Sequence, residues 1–340
     1  GGPCPAPLAI AAENHDTRFM TDQVIDYIQQ QVKPWCVHLS LLRPHPPWVA
    51  PEPFNQLYDP AELKQNVRRA SPEEESEQHP LLNYFLRKNY SSAPDNEDKL
   101  ARLKSSYFGL MSEVDSNLGR LFDELKASGA WNNTLIIFTS DHGEQLGDHW
   151  LLGKMGYFDQ SYYIPLIIHD PDKQADVTRD SQCQEFTENV DIMPTMLEWL
   201  GLTVPVQCDG RSLLPLLRSR EVPPGWRTQA HWEFDFRDVS TGDALEQQLG
   251  INLHQCSLNV IRGKRYKYVH FTALPPLFFD LQEDPGEFYN LAQHPDYQHL
   301  VLEYSQKMLS WRMLHDEQTL THMTLTDQGV IDRPVTRYSL

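Results

Sequence analysis

Long apolar runs are missing from this 340-residue chain. None approaches the roughly 20 residues that a membrane-spanning helix requires, so no membrane partner is expected. Positive charge is also scarce: 29 Lys and Arg stand against 47 Asp and Glu, a formal net charge of −18. Nucleic acid and anionic membrane surfaces both demand a cationic face, so neither is an expected partner. An anionic substrate would then need local positive charge, from a metal or from particular side chains. Cysteine is sparse and odd in number, at Cys4, Cys36, Cys183, Cys208 and Cys256, with spacings that match no zinc or redox pattern. Free, buried thiols in a reducing compartment are the simplest reading, which makes the cytoplasm the expected location. The opening Gly1-Gly2-Pro3-Cys4-Pro5 is not a secretory signal and reads as loop or as the start of a fragment. Without such a signal, Asn89-Tyr90-Ser91 and Asn132-Asn133-Thr134 carry little weight as glycosylation sites. Internal repeats and low-complexity tracts are lacking too, which leaves an ordinary globular composition.

What is present suggests about two domains by length. Apolar residues at Phe19, Val24, Ile25, Ile28 and Val32 have helical spacing, with Thr21 or Asp22 as the cap. Trp35 to Leu42 reads as a buried strand. It runs into Arg43-Pro44-His45-Pro46-Pro47-Trp48, where three prolines forbid regular structure and fix His45 on a turn. Residues 51–94 are rich in Pro, Glu, Ser and Asn and read as an irregular rim, with Glu73, Glu74 and Glu75 on a solvated face. Asp98 to Ser128 is the clearest helix. Leu100, Leu103, Tyr107, Leu110 or Met111, Val114, Leu118, Leu121 and Leu125 make one stripe, Asp95 or Asn96 caps it, Gly129 closes it, and Asp115 lies half-buried beside the stripe.

That helix leads into Asn133 to Phe138, a short apolar run that reads as a buried parallel strand, so the grammar is β-α-β and a doubly wound sheet is expected. Further on, Tyr163 to His169 reads as a strand and Asn189 to Leu200 as a helix started near Asp191 and stopped at Gly201. Beyond the break at Pro223-Pro224-Gly225 the pattern turns to β-strands over Gln229 to Phe236, Leu258 to Phe271 and Leu277 to Leu281, with a hairpin turn at Gly263-Lys264. A closing helix spans Asp296 to Leu314, and Thr319 to Leu340 has no strong period.

The chemistry centres on Thr139-Ser140-Asp141-His142-Gly143-Glu144-Gln145-Leu146-Gly147-Asp148-His149, where the apolar strand ends in a polar loop. In open α/β sheets, ligands bind outside the carboxyl ends of strands. Asp141 and His142 offer one hard oxygen and one imidazole nitrogen, which suit Mn, Mg, Ca or Zn better than a soft metal. Asp and His are also ordinary loop residues, and the pair alone does not make a site.

The run from Ser140 to Pro165, with its DHG…LGDH…K pattern, resembles the metal-binding segment of the sulfatase family in the alkaline phosphatase superfamily. Within that family it looks most similar to the phosphonate monoester hydrolases. The Asp280–Leu291 run, DL-x-x-DP-x-E-x-x-NL, matches the family's closing segment. The resemblance extends from about Asn14 to about Leu309 and implies an α/β fold: a doubly wound, mostly parallel sheet flanked by helices over residues 1–218, then a smaller antiparallel sheet plus helix in 219–340. It implies a hydrolase of sulfate, phosphonate or phosphate esters that takes a small anionic ester. It makes Asp141 and His142 ligands of a divalent metal, Mn or Ca first, with Mg or Zn admitted. It places Lys154 in the substrate pocket and His45 against the leaving group or the transferred group's oxygens. Arg43 carries that role more weakly, and His149 either orients the loop from behind or is packed. C-terminal tails make oligomer contacts in the similar phosphonate hydrolases, so a homo-oligomer is expected.

The family nucleophile is a formylglycine made from Cys or Ser in C/S-x-P-x-R. That pattern is not in this chain: Cys4-Pro5-Ala6-Pro7 has no proline at the third place, and Ser92-Ala93-Pro94-Asp95-Asn96 has Asn where Arg is required. The family's first strand, with paired metal-binding aspartates, is unmatched as well. The chain is therefore expected to be the C-terminal part of a longer hydrolase, inactive alone, with its sheet left partly uncovered. The other readings are a non-catalytic relative keeping part of the metal site, or another phosphodiesterase or phosphomutase branch of the superfamily.

Overall fold

The computed structural model describes residues 7–237, 245–315 and 323–332. Cys4 and the opening prolines lie outside the described residues, as does much of the tail beyond 315. The first helix, α1 (Asp16–Gln29), begins earlier than its apolar pattern. His15 occupies the cap position, Thr21 donates to the Thr17 carbonyl, and Asp22 pairs with Arg18 and Arg120. The first turn thus faces a polar network rather than core, which is why hydrophobic periodicity misplaces the cap. Short helices α2 (Pro72–Ser76) and α3 (Pro80–Leu86) follow. The long α4 (Glu97–Ala127) starts at Asn96, whose side chain accepts from the Lys99 N–H, and ends before Gly129 at φ +78°. Its stripe is buried at Leu100, Leu103, Leu110, Val114, Leu121 and Leu125 and half-buried at Tyr107 and Leu118, but Asp115 is exposed and Glu113 is the acid that α4 buries.

The strand β1 (Ile136–Thr139) pairs antiparallel with β2 (Leu166–His169), in register Ile136 to His169 and Thr139 to Leu166. The pairing expected for it was parallel, but the returning strand comes back through a loop and the single turn α5 (Asp159–Tyr162) rather than a full crossover helix. Trp35 to Leu42 is extended and alternates between half-buried and exposed side chains, yet it belongs to no ladder among the described residues. It still packs: Trp35 and Leu39, like Ile136 of β1, lie against Ile28, Leu121 and Leu125 on the α1–α4 layer.

After α6 (Ile192–Trp199) and α7 (Leu214–Arg218), β3 (Gln229–Asp235), β4 (Ser257–Gly263), β5 (Tyr266–Phe271) and β6 (Leu277–Asp280) form an antiparallel sheet in chain order. The short α8 (Leu245–Leu249) lies before β4. Period-2 alternation decides both faces of the sheet. Leu277 and Phe279 point into a core with α3, Leu151, Tyr157 and Phe158, while Phe278 points to Tyr304 and Met308 of α9 (Gln298–Leu314). The rim segment is tied to the same sheet by long-range bonds: Arg69 donates to the Phe288 carbonyl, Gln78 to that of Glu287 and His79 to that of Pro275. The hairpin β7 (Met323–Thr326) and β8 (Gly329–Asp332) packs mainly on itself, with Leu325 82% exposed. Of the described cysteines only Cys256 is buried; Cys36 and Cys183 are exposed and all four are free, so the expectation of buried thiols holds for one of them.

Candidate active site at the end of β1

The loop after β1 is held by its own polar groups. Thr139 donates to the Pro165 carbonyl, Asn189 donates to the Ser140 carbonyl, and Ser140 donates to the His142 carbonyl. The Gly143 N–H donates to Ser161 at 2.8 Å, and a Cβ built on Gly143 would sit 2.1 Å from the Gln160 carbonyl oxygen. Only glycine permits that approach. Asp141 extends outward, its side chain 83% exposed, with Oδ1 accepting from the His142 N–H. His142 donates Nδ1–H to the Gly143 carbonyl at 2.7 Å, which leaves the Nε2 lone pair free and 3.6 Å from Asp141 Oδ2. A carbonyl partner on one ring nitrogen is the usual way of presenting the other to a metal. The two donors fit one side of a hard cation's shell. Among the described residues no set of three His, Cys, Asp or Glu side chains is arranged to hold a metal.

His45 uses the same device. It is exposed and donates Nδ1–H to the Pro46 carbonyl at 2.8 Å, so Nε2 faces away from the turn. The turn itself is fixed from below: Trp48, buried, donates to the Pro44 carbonyl. Arg43 is turned inward, donating to the His45 carbonyl at 3.1 Å and facing Asp16 at 3.5 Å. Lys154 is exposed one residue after Gly153, whose N–H donates to Glu144. His149 is fully buried, stacked 3.6 Å from the Phe158 ring, with Nδ1 bonded to Glu75 at 2.9 Å. Glu75, expected on a solvated face, is buried in that contact and also takes the Arg69 N–H.

Sequence reasoning missed Glu144. Its Oε1 accepts from the Leu146 and Gly153 N–H groups and so closes the loop between the metal-type pair and Lys154. Burial pushes the Glu144 carboxyl up; the two N–H bonds and the imidazoles of His142 and His45 oppose that rise. The 43–48 turn and the loop after β1 are joined by packing: Leu146 and Leu152 lie against the core cluster that holds Trp48. Asp148 was missed as well: it accepts from Asn66, the Val67 N–H and Gln160. The signal for both was their place inside the motif, but burial is needed to separate a loop anchor from a solvated acid. Leu146, His149 and Trp150 all take positive φ, a cost of about 1–3 kcal/mol each that these anchors must meet.

The general sulfatase model matches residues 2–202, and the model for the C-terminal region of N-sulphoglucosamine sulphohydrolase matches 147–313. This chain belongs to the sulfatase family. The multifunctional alkaline phosphatase superfamily protein PehA of Trinickia caryophylli is 45% identical over 339 residues, covering 96% of this chain and 65% of that protein. An arylsulfatase of Clostridium perfringens is 28% identical over 298 residues, 87% of this chain and 57% of its own length. The sulfatase-family chain thus spans less than two thirds of these relatives. Among solved structures, the phosphonate monoester hydrolase of Agrobacterium radiobacter superposes with TM-score 0.90 at 41% identity, over 98% of this chain and 68% of that one. That of Silicibacter pomeroyi also gives 0.90, at 35% identity over 97% and 66%. The α/β class read from the sequence is thereby the fold of this chain.

Proposed function

We propose that this chain carries part of the active site of a metal-dependent hydrolase of sulfate, phosphonate or phosphate esters. The supporting observation is the Asp141–His142 pair: it stands at the end of β1, one imidazole nitrogen tied back to Gly143 and the other free beside a carboxylate oxygen. A divalent ion held there, Mn or Ca by preference and Mg or Zn otherwise, would supply positive charge against the transferred group. His45, its ring fixed by Pro46, presents Nε2 as a proton donor or acceptor for the leaving group. Lys154 brings a mobile positive charge to the substrate's oxygens. The substrate is a small anionic ester, which a chain of net charge −18 binds only where such local cations offset its field. The free thiols fit a cytoplasmic setting, and the apolar β7–β8 hairpin fits a homo-oligomer contact.

The reading in which the site is incomplete rests on a separate observation. No third ligand converges among the described residues, and C/S-x-P-x-R is not in the sequence. Two ligands from one loop hold a hard cation weakly, because such ions take six or more oxygens. Calorimetry with Mn and Ca on the purified chain should give weak binding, lost in Asp141→Ala; sub-micromolar affinity would overturn the incomplete site. Assays on nitrophenyl sulfate, phenylphosphonate and phosphodiester esters should show no turnover. Robust metal-dependent turnover that Asp141→Ala abolishes would point to a nucleophile of another kind.

A further inference from the structure

Behind the 43–48 turn lies a group of side chains that the proposed chemistry does not use. Glu113 of α4 and His15 at the cap of α1 are both buried, and His15 Nδ1 meets Glu113 Oε1 at 2.5 Å. His15 Nε2 lies 3.3 Å from Asp16 Oδ1, and Asp16 Oδ2 lies 3.5 Å from Arg43 Nη2. Arg43 in turn donates Nη1–H to the His45 carbonyl. Two hydrogen bonds, His15–Glu113 and Arg43–His45, and two ion-pair contacts, His15–Asp16 and Asp16–Arg43, thus run in sequence from the middle of α4 to the backbone of His45.

Two further facts set this path apart from an incidental ion pair. Burying an acid without full compensation is costly, and burial pushes the Glu113 carboxyl up despite the His15 bond. In addition, Glu113 Oε2, His15 Nε2 and Arg43 Nε are buried without a hydrogen-bond partner. Stability alone is better served by apolar residues at such positions. A neighbouring pair on the same two helices, Asp22 with Arg120 and Arg18, is half-exposed and ties α1 to α4 without reaching the turn. The prolines of the 43–48 turn cannot donate backbone bonds.

We infer that Glu113, His15 and Asp16 are positioning residues for His45, acting through Arg43. The inference rests on the proposed role of His45 for its importance, but not for its test. The test is nitrogen-15 and carbon-13 NMR of histidine-labelled full chain, with the His45 imidazole assigned by its loss in His45→Gln. Asp16→Asn, Arg43→Lys and Glu113→Gln are compared with Asp22→Asn, which removes the neighbouring pair. Asp16 is 43% exposed, so Asp16→Asn folds whatever Glu113 contributes to the core. The expected result is a shifted or split His45 signal in Asp16→Asn, Arg43→Lys and Glu113→Gln, with the wild-type signal kept in Asp22→Asn. An unmoved His45 signal in Asp16→Asn overturns the inference. So does an equal change in Asp22→Asn, which would mean general loosening of α1 on α4. Calorimetry of phenylphosphonate on the Mn-loaded chain, wild type against His45→Gln, reads the role of His45 toward substrate separately. If His45→Gln leaves that binding intact while the NMR result holds, the functional reading fails and the positioning path stands.

Discussion

At the scale of single residues, the groups of the proposed site were legible in the sequence and their supports were not. Asp141 and His142 could be named because a strand ending in Asp-His-Gly is visible in one dimension. Glu113, Glu144 and Glu75 look in the sequence like any solvated acid, and only packing sets them apart. Gly143 is the sharpest case to test. A Cβ there would collide with the Gln160 carbonyl, so Gly143→Ala should cost about 1–3 kcal/mol in a urea melt and weaken Mn binding by displacing the carbonyl that holds His142. His79 gives a pH prediction. Its buried ring donates to the Pro275 carbonyl and accepts from the Leu81 N–H, and burial pushes its pKa down from 6.5 to about 4. The unfolded chain takes up a proton that the fold refuses between these values, so this contribution is complete above about pH 6.5 and is lost as pH falls towards 4. The loss reaches about 3 kcal/mol, from 1.36 kcal/mol per unit. Melts at pH 7 and pH 4.5 should therefore differ less in His79→Gln than in the wild type.

At the scale of elements, α4 was readable nearly to the residue because a stripe of threes and fours over 31 positions leaves little choice. The direction of β1 was not, since an apolar run of four to six residues looks the same in a parallel and an antiparallel ladder. The C-terminal strands were legible from alternation and turn residues. Their attachment to the site loop was not, because it depends on Lys267, which reads as a surface residue of β5. Lys267 is fully buried, bonds the Tyr157 carbonyl, and pairs with Glu287 and with Asp159 at the start of α5. Burial pushes the Glu287 carboxyl up, with Lys267 opposing; Asp159 is held below the usual carboxylate range, Lys267 and Arg262 outweighing its burial. Lys267→Met leaves the buried Glu287 without its cation while Asp159 keeps Arg262, and should cost about 3–5 kcal/mol in chemical denaturation, partly recovered by adding Glu287→Gln.

At the scale of the whole molecule, the charge balance and the lack of long apolar runs set the expected class, and among the described residues no helix is long and apolar enough to cross a membrane. The Trp35–Leu42 segment, in no ladder among the described residues, and Ile167 of β2, 65% exposed, offer strand surface to a partner. Open strand edges pair with other chains. Light scattering of the purified chain should show association that grows with concentration, and Leu42→Lys combined with Ile167→Lys should reduce it. An unchanged association would place the contact elsewhere, the β7–β8 hairpin being next to test with Leu325→Lys.

The bonds that tie the rim to the C-terminal sheet also set an order of events during synthesis. Gln78 and Glu287 stand 209 residues apart, and Arg69 and Phe288 stand 219 apart. At about 5–20 residues per second, roughly 10–40 s of elongation separate the two ends of the first bond. Until Glu287 emerges, Glu75 and the helices beside it have no sheet to rest on, and the carboxylate that steadies His149 is not yet fixed. The loop after β1 leaves the ribosome well before the C-terminal sheet on which Glu75 and its neighbours rest. Its rigidity is a late event, gained when the last strands dock, and a nascent chain that stalls short of β6 would present Asp141 and His142 on an unsupported loop.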